Sequence, residues 1–343
     1  MFKVSVIIPV YNAERFVRRA VESAVHLEEV GEVILIEDNS PDNALAVCRQ
    51  LERANDKVRL FRHPDEKNHG AGASRNLGII KARCEFISFL DADDWYLPKR
   101  FEAEKEIFKK PSAIDGVYGA IGIYYYTEIA RQLFIETGYK YQELLTVTAP
   151  VAPEELILVF FGQHQAVKGS FSTDTITVRR SLFDRVGLFN EKLRLRQDTH
   201  MWARMAAVGR LASGIIKEPI AIRGVHDQNR MTNTLEQRKY DHLWWDDLYH
   251  WFRTAQVNGT AWKAFEVAYI RFKASRAPKW TARLLFLWYT MRHPRIVAKA
   301  NGLFDFSLYD AFGRNWWTLH FTSFKNRILA QARHDSVKVY RSG

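Results

Sequence analysis

Hydrophobic residues in the first ninety positions fall into two alternating patterns. Val4 to Pro9 is a continuous apolar run, the mark of a strand covered on both faces. Ala13 to Val25 repeats apolar positions at helical spacing. "EVILIED" (32–38) reads as a second strand and residues 42–54 as a second helix. "VRLFRH" (58–63), a helix over Ala71–Ala82 and the strand "EFISFL" (85–90) continue the alternation. Strands and helices at this spacing predict right-handed crossovers and an α/β fold, a mainly parallel, Rossmann-like sheet flanked by helices.

Ligands of such sheets bind outside the carboxyl ends of the strands. Pro9, Tyr11 and Asn12 follow the first strand, and Glu37, Asp38, Asn39 and Ser40 the second. The third leads into "HPDEKNHGAGASRN", with Arg75 in the helix beyond, and the fourth into "DADDW". The four ends form one acidic rim with an aromatic ring and an arginine. No GxGxxG follows the first strand, so a mononucleotide is expected here rather than a dinucleotide.

Asp91, Asp93 and Asp94 repel one another unless a cation lies among them. Mg²⁺ or Mn²⁺ prefers oxygen ligands, typically one or two carboxylates plus substrate phosphates. The alternative is that Asp93 or Asp94 caps a helix beginning near Pro98. A cap needs one Asp, and this strand end has three. Asp38 either accepts from a base or ribose, or organises the turn "NSPDN". Tyr11 either stacks on a base or packs at a helix start, and Arg75 either meets a diphosphate or lies on the surface.

Farther on, "TITVRR" reads as a strand, "SLFDRVG" as a helical turn stopped by Gly187, and "QDTHMWARMAAVG" as a helix. That helix has Trp202, Met205 and Ala206 on an apolar face and Asp198 at its start, where position alone suggests an N-cap.

"VSVIIPVYNAERFV", "ILIEDNSPDN", "NHGAGASRNLGI", "FISFLDADDW" and "RLRQDTHMW" occur in the order and spacing of family 2 glycosyltransferases with the type A (GT-A) nucleotide-sugar fold. The resemblance covers roughly residues 2–230. It implies transfer of a sugar from a nucleotide diphosphate donor, with UDP the commonest carrier, and inversion at the anomeric carbon. It implies that Asp38 reads the base with Pro9 and Tyr11 beside it, that Arg75 lies near the diphosphate, and that Asp91 approaches the ribose. Asp93, with Asp94, would meet the metal, Mn²⁺ or Mg²⁺. The family keeps its catalytic Asp as the second residue of an acidic pair. Here the pair is Gln197-Asp198, so Asp198 is the single plausible base. A histidine near His226 can reach the metal or phosphates in the family, and otherwise His226 is an ordinary surface or core residue. Arg223 and Arg230 are weaker phosphate candidates. An inactive nucleotide-sugar-binding protein on the same scaffold and a nucleotidyltransferase are the rival readings.

Composition divides the chain. Residues 241–343 hold 16 Lys/Arg against 7 Asp/Glu, most of the net charge of +11, and eight of the ten tryptophans. The expected organisation is a catalytic domain over 1–235 and a helical, aromatic-rich, basic C-terminal extension over 236–343. Basic faces beside Trp, Phe and Leu suit helices lying in a membrane interface, near a saccharide or lipid-linked acceptor in surface polysaccharide or glycolipid synthesis. The same aromatics would serve equally to pack the tail onto the catalytic domain or a second subunit. The opening "VSVIIPVYN" lacks the features of a signal peptide, and no uncharged stretch approaches the ~18–20 residues of a spanning helix. Cys48 and Cys84 form no motif. These features predict a cytoplasmic protein with reduced thiols, in contact with the inner face of the plasma membrane if the tail binds lipid. The acidic rim opposes a phosphate backbone, so no nucleic-acid partner is expected.

Overall fold

The computed structural model describes residues 2–110, 113–136, 144–226, 229, 239–276, 278 and 284. The chain divides into two compact units, Met1–Trp262 and Lys263–Gly343. In the first, β1 (Val4–Val10), β2 (Val30–Glu37) and β3 (Val58–Arg62) alternate with α1 (Val17–Val25), α2 (Ala44–Ala54) and α3 (Ala71–Lys81). β4 (Phe86–Phe89) completes the parallel core, pairing with β1 on the side away from β2. Nearly every residue of β1 and β2 is buried, as their unbroken apolar runs predict, and α1 covers them with Val17, Ala20, Val21 and Ala24. Gly78 lets α3 lie close on the sheet, since a Cβ there would stand 2.3 Å from Ile7 Cγ2. That close approach sets Arg75, one turn earlier, at the strand ends.

Beyond β4 the sheet is mixed rather than parallel throughout. β9 (Ile176–Arg179) runs antiparallel between β4 and β6 (Gly116–Tyr118), and β10 (Leu211–Ser213) closes the edge. The seven strands lie in the order β10-β6-β9-β4-β1-β2-β3. A second sheet, β5-β11-β7-β8, joins Trp95–Tyr96 (β5), Pro219–Val225 (β11), Ala120–Tyr125 (β7) and Leu144–Leu145 (β8). The chain steps from one sheet to the other at Gly119, where a Cβ would lie 2.4 Å from Ile220 Cδ1. The remaining helices of this unit are α4 (Glu102–Lys109), α5 (Glu128–Glu136), α6 (Leu156–Phe160), α7 (Leu182–Val186), α8 (Gln197–Val208) and α9 (Asp241–Thr254).

α7 ends at Gly187, whose φ of +73° is the left-handed conformation expected of its stop. α1 starts at Val17, later than the apolar pattern from Ala13 suggests, because Ala13 to Phe16 form a turn. Cys48 is buried and Cys84 partly so; both are free, and burial pushes the Cys48 thiol up to about 12.

Gly259–Arg276 form α10. Within Lys263–Arg276, Phe265 and Tyr269 stack with ring centroids 5.7 Å apart, and Lys273 Nζ lies 5.1 Å from the Tyr269 ring. Most of the helical extension expected over 236–343 lies, beyond Arg276, outside the described residues. No helix among the described residues is long and apolar enough to cross a membrane.

Candidate active site

The carboxyl ends of β1, β2 and β4 open onto a cleft of about 700 Å³. Two asparagines turn the chain there. Asn12 (φ +52°) and Asn39 (φ +56°) adopt the left-handed conformation that Asn tolerates best among side chains with a Cβ. The Asn12 N–H donates to Ser40 Oγ at 3.2 Å, tying the ends of β1 and β2 together. Pro9, Tyr11 and Asp38 line the cleft beside these turns, and Tyr11 is 40% exposed.

Asp38 is buried and already well supplied with donors. Oδ1 accepts from the His69 N–H at 2.7 Å, and Oδ2 from the Gly70 N–H at 2.7 Å and Asn68 Nδ2 at 2.9 Å. It therefore orders the loop after β3, a wider role than organising the turn that follows it. Burial draws the nearby His63 below the usual histidine range, although Asp38 pulls the other way.

"DADDW" is split by the fold into side chains with different partners. Asp91 Oδ1 accepts from Arg75 Nη2 at 2.6 Å, while its N–H donates to Asp174 Oδ1 at 2.8 Å. Asp93 faces the second sheet, its Oδ2 3.2 Å from His226 Nε2 and 3.0 Å from Asn229 Nδ2. His226 is stacked on Phe16 with centroids 4.7 Å apart. Asp94 turns inward, 3% exposed, and accepts from the Gly224 N–H at 2.9 Å. A Cβ at Gly224 would stand 2.4 Å from the Asp93 carbonyl, so only glycine allows β11 this close. Neither Asp93 nor Asp94 caps a helix. α4 begins at Glu102, with Phe101 at its N-cap position, so the capping alternative falls.

Asp174 is the residue that sequence reasoning missed. It is wholly buried, accepts from Ser172 Oγ at 2.9 Å, and stands 3.9 Å from Arg223 Nη2. Burial pushes the carboxyls of both Asp174 and Asp94 upward, and neighbouring aspartates add to it. Carboxylate oxygens of Asp91, Asp94 and Asp174 all lie within 4.8 Å of one another. The available signal was weak, a single Asp just ahead of the strand "ITVR". Arg100, also unforeseen, is fully buried beneath the rim and binds the Asp174 carbonyl, Ser88 Oγ and Glu104 Oε1 at 2.9, 2.7 and 2.5 Å.

Arg75 is 3% exposed, and its Nε and Nη1 have no hydrogen-bond partner among the described residues. Burial alone would pull its guanidinium down, but Asp91, Asp198 and Asp174 hold it above its ordinary value. Asp198 lies across the cleft in the first turn of α8, with its Oδ1 accepting from the Thr199 N–H at 2.7 Å. The N-cap position belongs to Arg196, so Asp198 does not occupy the cap that its place in sequence suggests. The fold thus gathers Pro9, Tyr11, Asp38, Arg75, Asp91, Asp93, Asp94, Asp198, Arg223 and His226 around one space. Asp227 and Arg230 lie outside the described residues.

Residues 5–155 match the family described as Glycosyl transferase family 2. An uncharacterized glycosyltransferase of Rickettsia typhi is 27% identical over 250 residues, 70% of each chain. One from Rickettsia felis is 28% identical over 208 residues, but this chain spans only 31% of its length. Among solved structures, S. aureus TarS 1–349 in complex with UDP-GlcNAc superposes with a TM-score of 0.61 at 15% identity, over 90% of this chain and 79% of that one. At that identity the likeness is one of fold. The family match ends before Asp174, Asp198, Arg223 and His226, whose places rest on the geometry above. The likeness to glycosyl transferase family 2 is thus carried by residues 5–155.

Proposed function

We propose that the cleft transfers a sugar from a UDP-linked donor to a hydroxyl of a saccharide or lipid-linked acceptor, with inversion at the anomeric carbon. The observation that carries this reading is that the acidic rim at the strand ends and Asp198 on α8 line one cleft. Pro9, Tyr11 and Asp38 receive the base, and Asp91 the ribose. The Asp38 carboxylate has about four acceptor positions, of which three are taken, so one is left for the base. Arg75 turns its unpaired Nε and Nη1 to the diphosphate, as a planar guanidinium suits phosphate oxygens. Asp198 takes the proton of the acceptor hydroxyl, whose oxygen attacks the anomeric carbon from the face opposite the departing diphosphate.

A hard divalent cation would take Asp93 as first ligand, with Asp94 and His226 beside it, because carboxylate oxygens suit Mn²⁺ or Mg²⁺; of the three, Asp94 also belongs to the close carboxylate group with Asp91 and Asp174. Bound there, such an ion would offset the charge that gathers on the leaving diphosphate. The UDP-GlcNAc held by the S. aureus neighbour agrees with a UDP carrier.

We extend the reading to the division at 1–235 and 236–343, and to peripheral contact of the basic extension with an anionic membrane near the acceptor. Flotation of the full chain with anionic vesicles tests that contact, and recovery only in the soluble fraction would remove it. The central experiment is a panel of UDP-glucose, UDP-galactose and UDP-N-acetylglucosamine, incubated with the full chain with and without Mn²⁺. Metal-dependent release of UDP is expected. Pyrophosphate released from UTP and a sugar 1-phosphate, with no UDP released from the panel, would instead identify a nucleotidyltransferase. Thermal stabilisation by a donor without any turnover would identify a binding protein.

A further inference from the structure

α9 grips the back of the helix that bears Asp198. Its buried stripe is Trp244, Leu248 and Phe252, spaced four residues apart, and it lies against α8. Asp241, one turn before Trp244, pairs with the Arg196 guanidinium, and the same guanidinium lies 4.9 Å from the Trp244 ring centroid. One turn on, Asp247 Oδ2 stands 3.0 Å from Nε2 of His200, a side chain with no exposed surface. His200 also meets Trp244 edge-on, with centroids 5.9 Å apart at 84°. Asp247 further accepts from Asn190, in the segment that leads into α8.

Helical geometry makes this arrangement pointed. Arg196 and His200 are four residues apart and share a face, whereas Asp198, two residues from each, is rotated about 200° from them. α9 therefore meets the first turn through His200 and the Arg196 guanidinium, while Asp198, like Arg196, lines the cleft. Arg196 is also the one residue flanking α8 in the left-handed conformation, with φ +61°. A side chain with a Cβ is strained at such a position. The strained residue that sets the direction in which α8 starts is thus the one that Asp241 and Trp244 clasp.

We propose that Asp241, Trp244 and Asp247 are positioning residues, a brace that fixes the first turn of α8 and so the approach of the Asp198 carboxylate to the acceptor hydroxyl. This inference rests on the reading of Asp198 as the base. It adds that the catalytic unit is incomplete without a helix lying about forty residues after that base.

The test uses the full chain carrying Asp241→Asn, Asp241→Glu, Asp198→Asn and the Asp198→Asn/Asp241→Asn pair. Hydrogen–deuterium exchange over residues 194–202 needs no substrate, and Asp241→Asn is expected to raise it there while leaving β1 and β4 unchanged. UDP release with Mn²⁺, from the nucleotide sugar of the panel turned over fastest by the wild type, is expected to fall about ten- to hundredfold in kcat. UDP affinity by calorimetry should be unchanged. Asp241→Glu should restore part of the rate, and Asp241→Asn should add no further loss to Asp198→Asn. Unchanged exchange over 194–202 would overturn the brace, and so would a wild-type kcat. A fall in kcat matched by equal losses of UDP affinity and thermal midpoint would overturn it too, because α9 would then be general support. If Asp198→Asn keeps the wild-type rate, the base reading itself fails, whatever Asp241→Asn does. If Asp198→Asn loses turnover and Asp241→Asn does not, the brace fails alone.

Discussion

The two walls of the cleft are built in opposite ways. The rim wall takes its side chains from the turns directly after β1, β2 and β4, and most of their partners come from the loops beside them. The facing wall takes one carboxylate, Asp198, from a helix joined to α9 by the Arg196–Asp241 ion pair, 45 residues apart in sequence, and by the approach of His200 to Asp247. A strand end delivers whatever residue follows it, so the rim is a property of the sheet. A helix start has no such register, and something outside must hold it.

The sharpest way to break this comparison is to remove the facing carboxylate. Asp198→Asn should cut turnover about a thousandfold, within the range of a lost general base, while UDP binding survives on the rim. Rate measurement alongside calorimetry checks both halves, and a variant that loses UDP binding as well would mean the walls are not separate in function.

The rim has its own hidden support. Arg100→Met leaves Glu104 buried without its guanidinium, and the loss should be about 3–5 kcal/mol of stability in denaturant unfolding. A loss below about 1 kcal/mol would mean that the rim does not depend on this buried cation.

A smaller effect should follow from altering the metal edge alone. Asp93→Asn should weaken Mn²⁺-dependent UDP binding about tenfold or more, and Gly224→Ala should do so in the same direction by pushing the Asp93 backbone aside. Calorimetric titrations with and without Mn²⁺ give the comparison, and equal affinities in the two conditions for wild type would remove the metal role.

The smallest effect concerns the brace. Burial draws His200 below its ordinary value near 6.5, even though Asp247 opposes this. The unfolded chain therefore takes up a proton before the folded one does, and stability falls as pH drops from about 6.5 toward the lowered folded value. Thermal midpoints at pH 7.5 and 5.5 should differ less in His200→Gln than in wild type. An identical difference would take His200 out of the acid response.

Much of the rim was legible before any coordinates. Each strand from β1 to β4 was announced by its apolar run, and because a parallel sheet aligns those ends, Asp38, Asp91 and Asp93 had to meet. Asp94 was legible as part of an acidic cluster but not in its orientation, since nothing local says that Gly224 will come close enough to capture it. Asp174 escaped for the same reason. Its importance comes from accepting the N–H of Asp91, a contact spanning 83 residues. The second sheet was hidden because its strands come from separated stretches, two of them only two residues long.

The tail shows the limit from the other side. Counting charge from residue 241 blends α9 into the basic extension, yet residues 241–262 carry one Lys/Arg against three Asp/Glu. Residues 263–343 alone hold 15 Lys/Arg against 4 Asp/Glu, so the whole basic excess lies in the second unit. The acidic helix between is the one that clasps Arg196 and His200.

The sequence by itself determined the alternation of strands and helices, the acidic rim and the family likeness of residues 5–155, because periodicity and strand-end chemistry are local properties. Only the tertiary structure decided which aspartates are buried together, which one turns inward, and which helix packs behind the one that bears Asp198. Those outcomes depend on burial and on contacts between distant segments, and neither is written in the residues on either side.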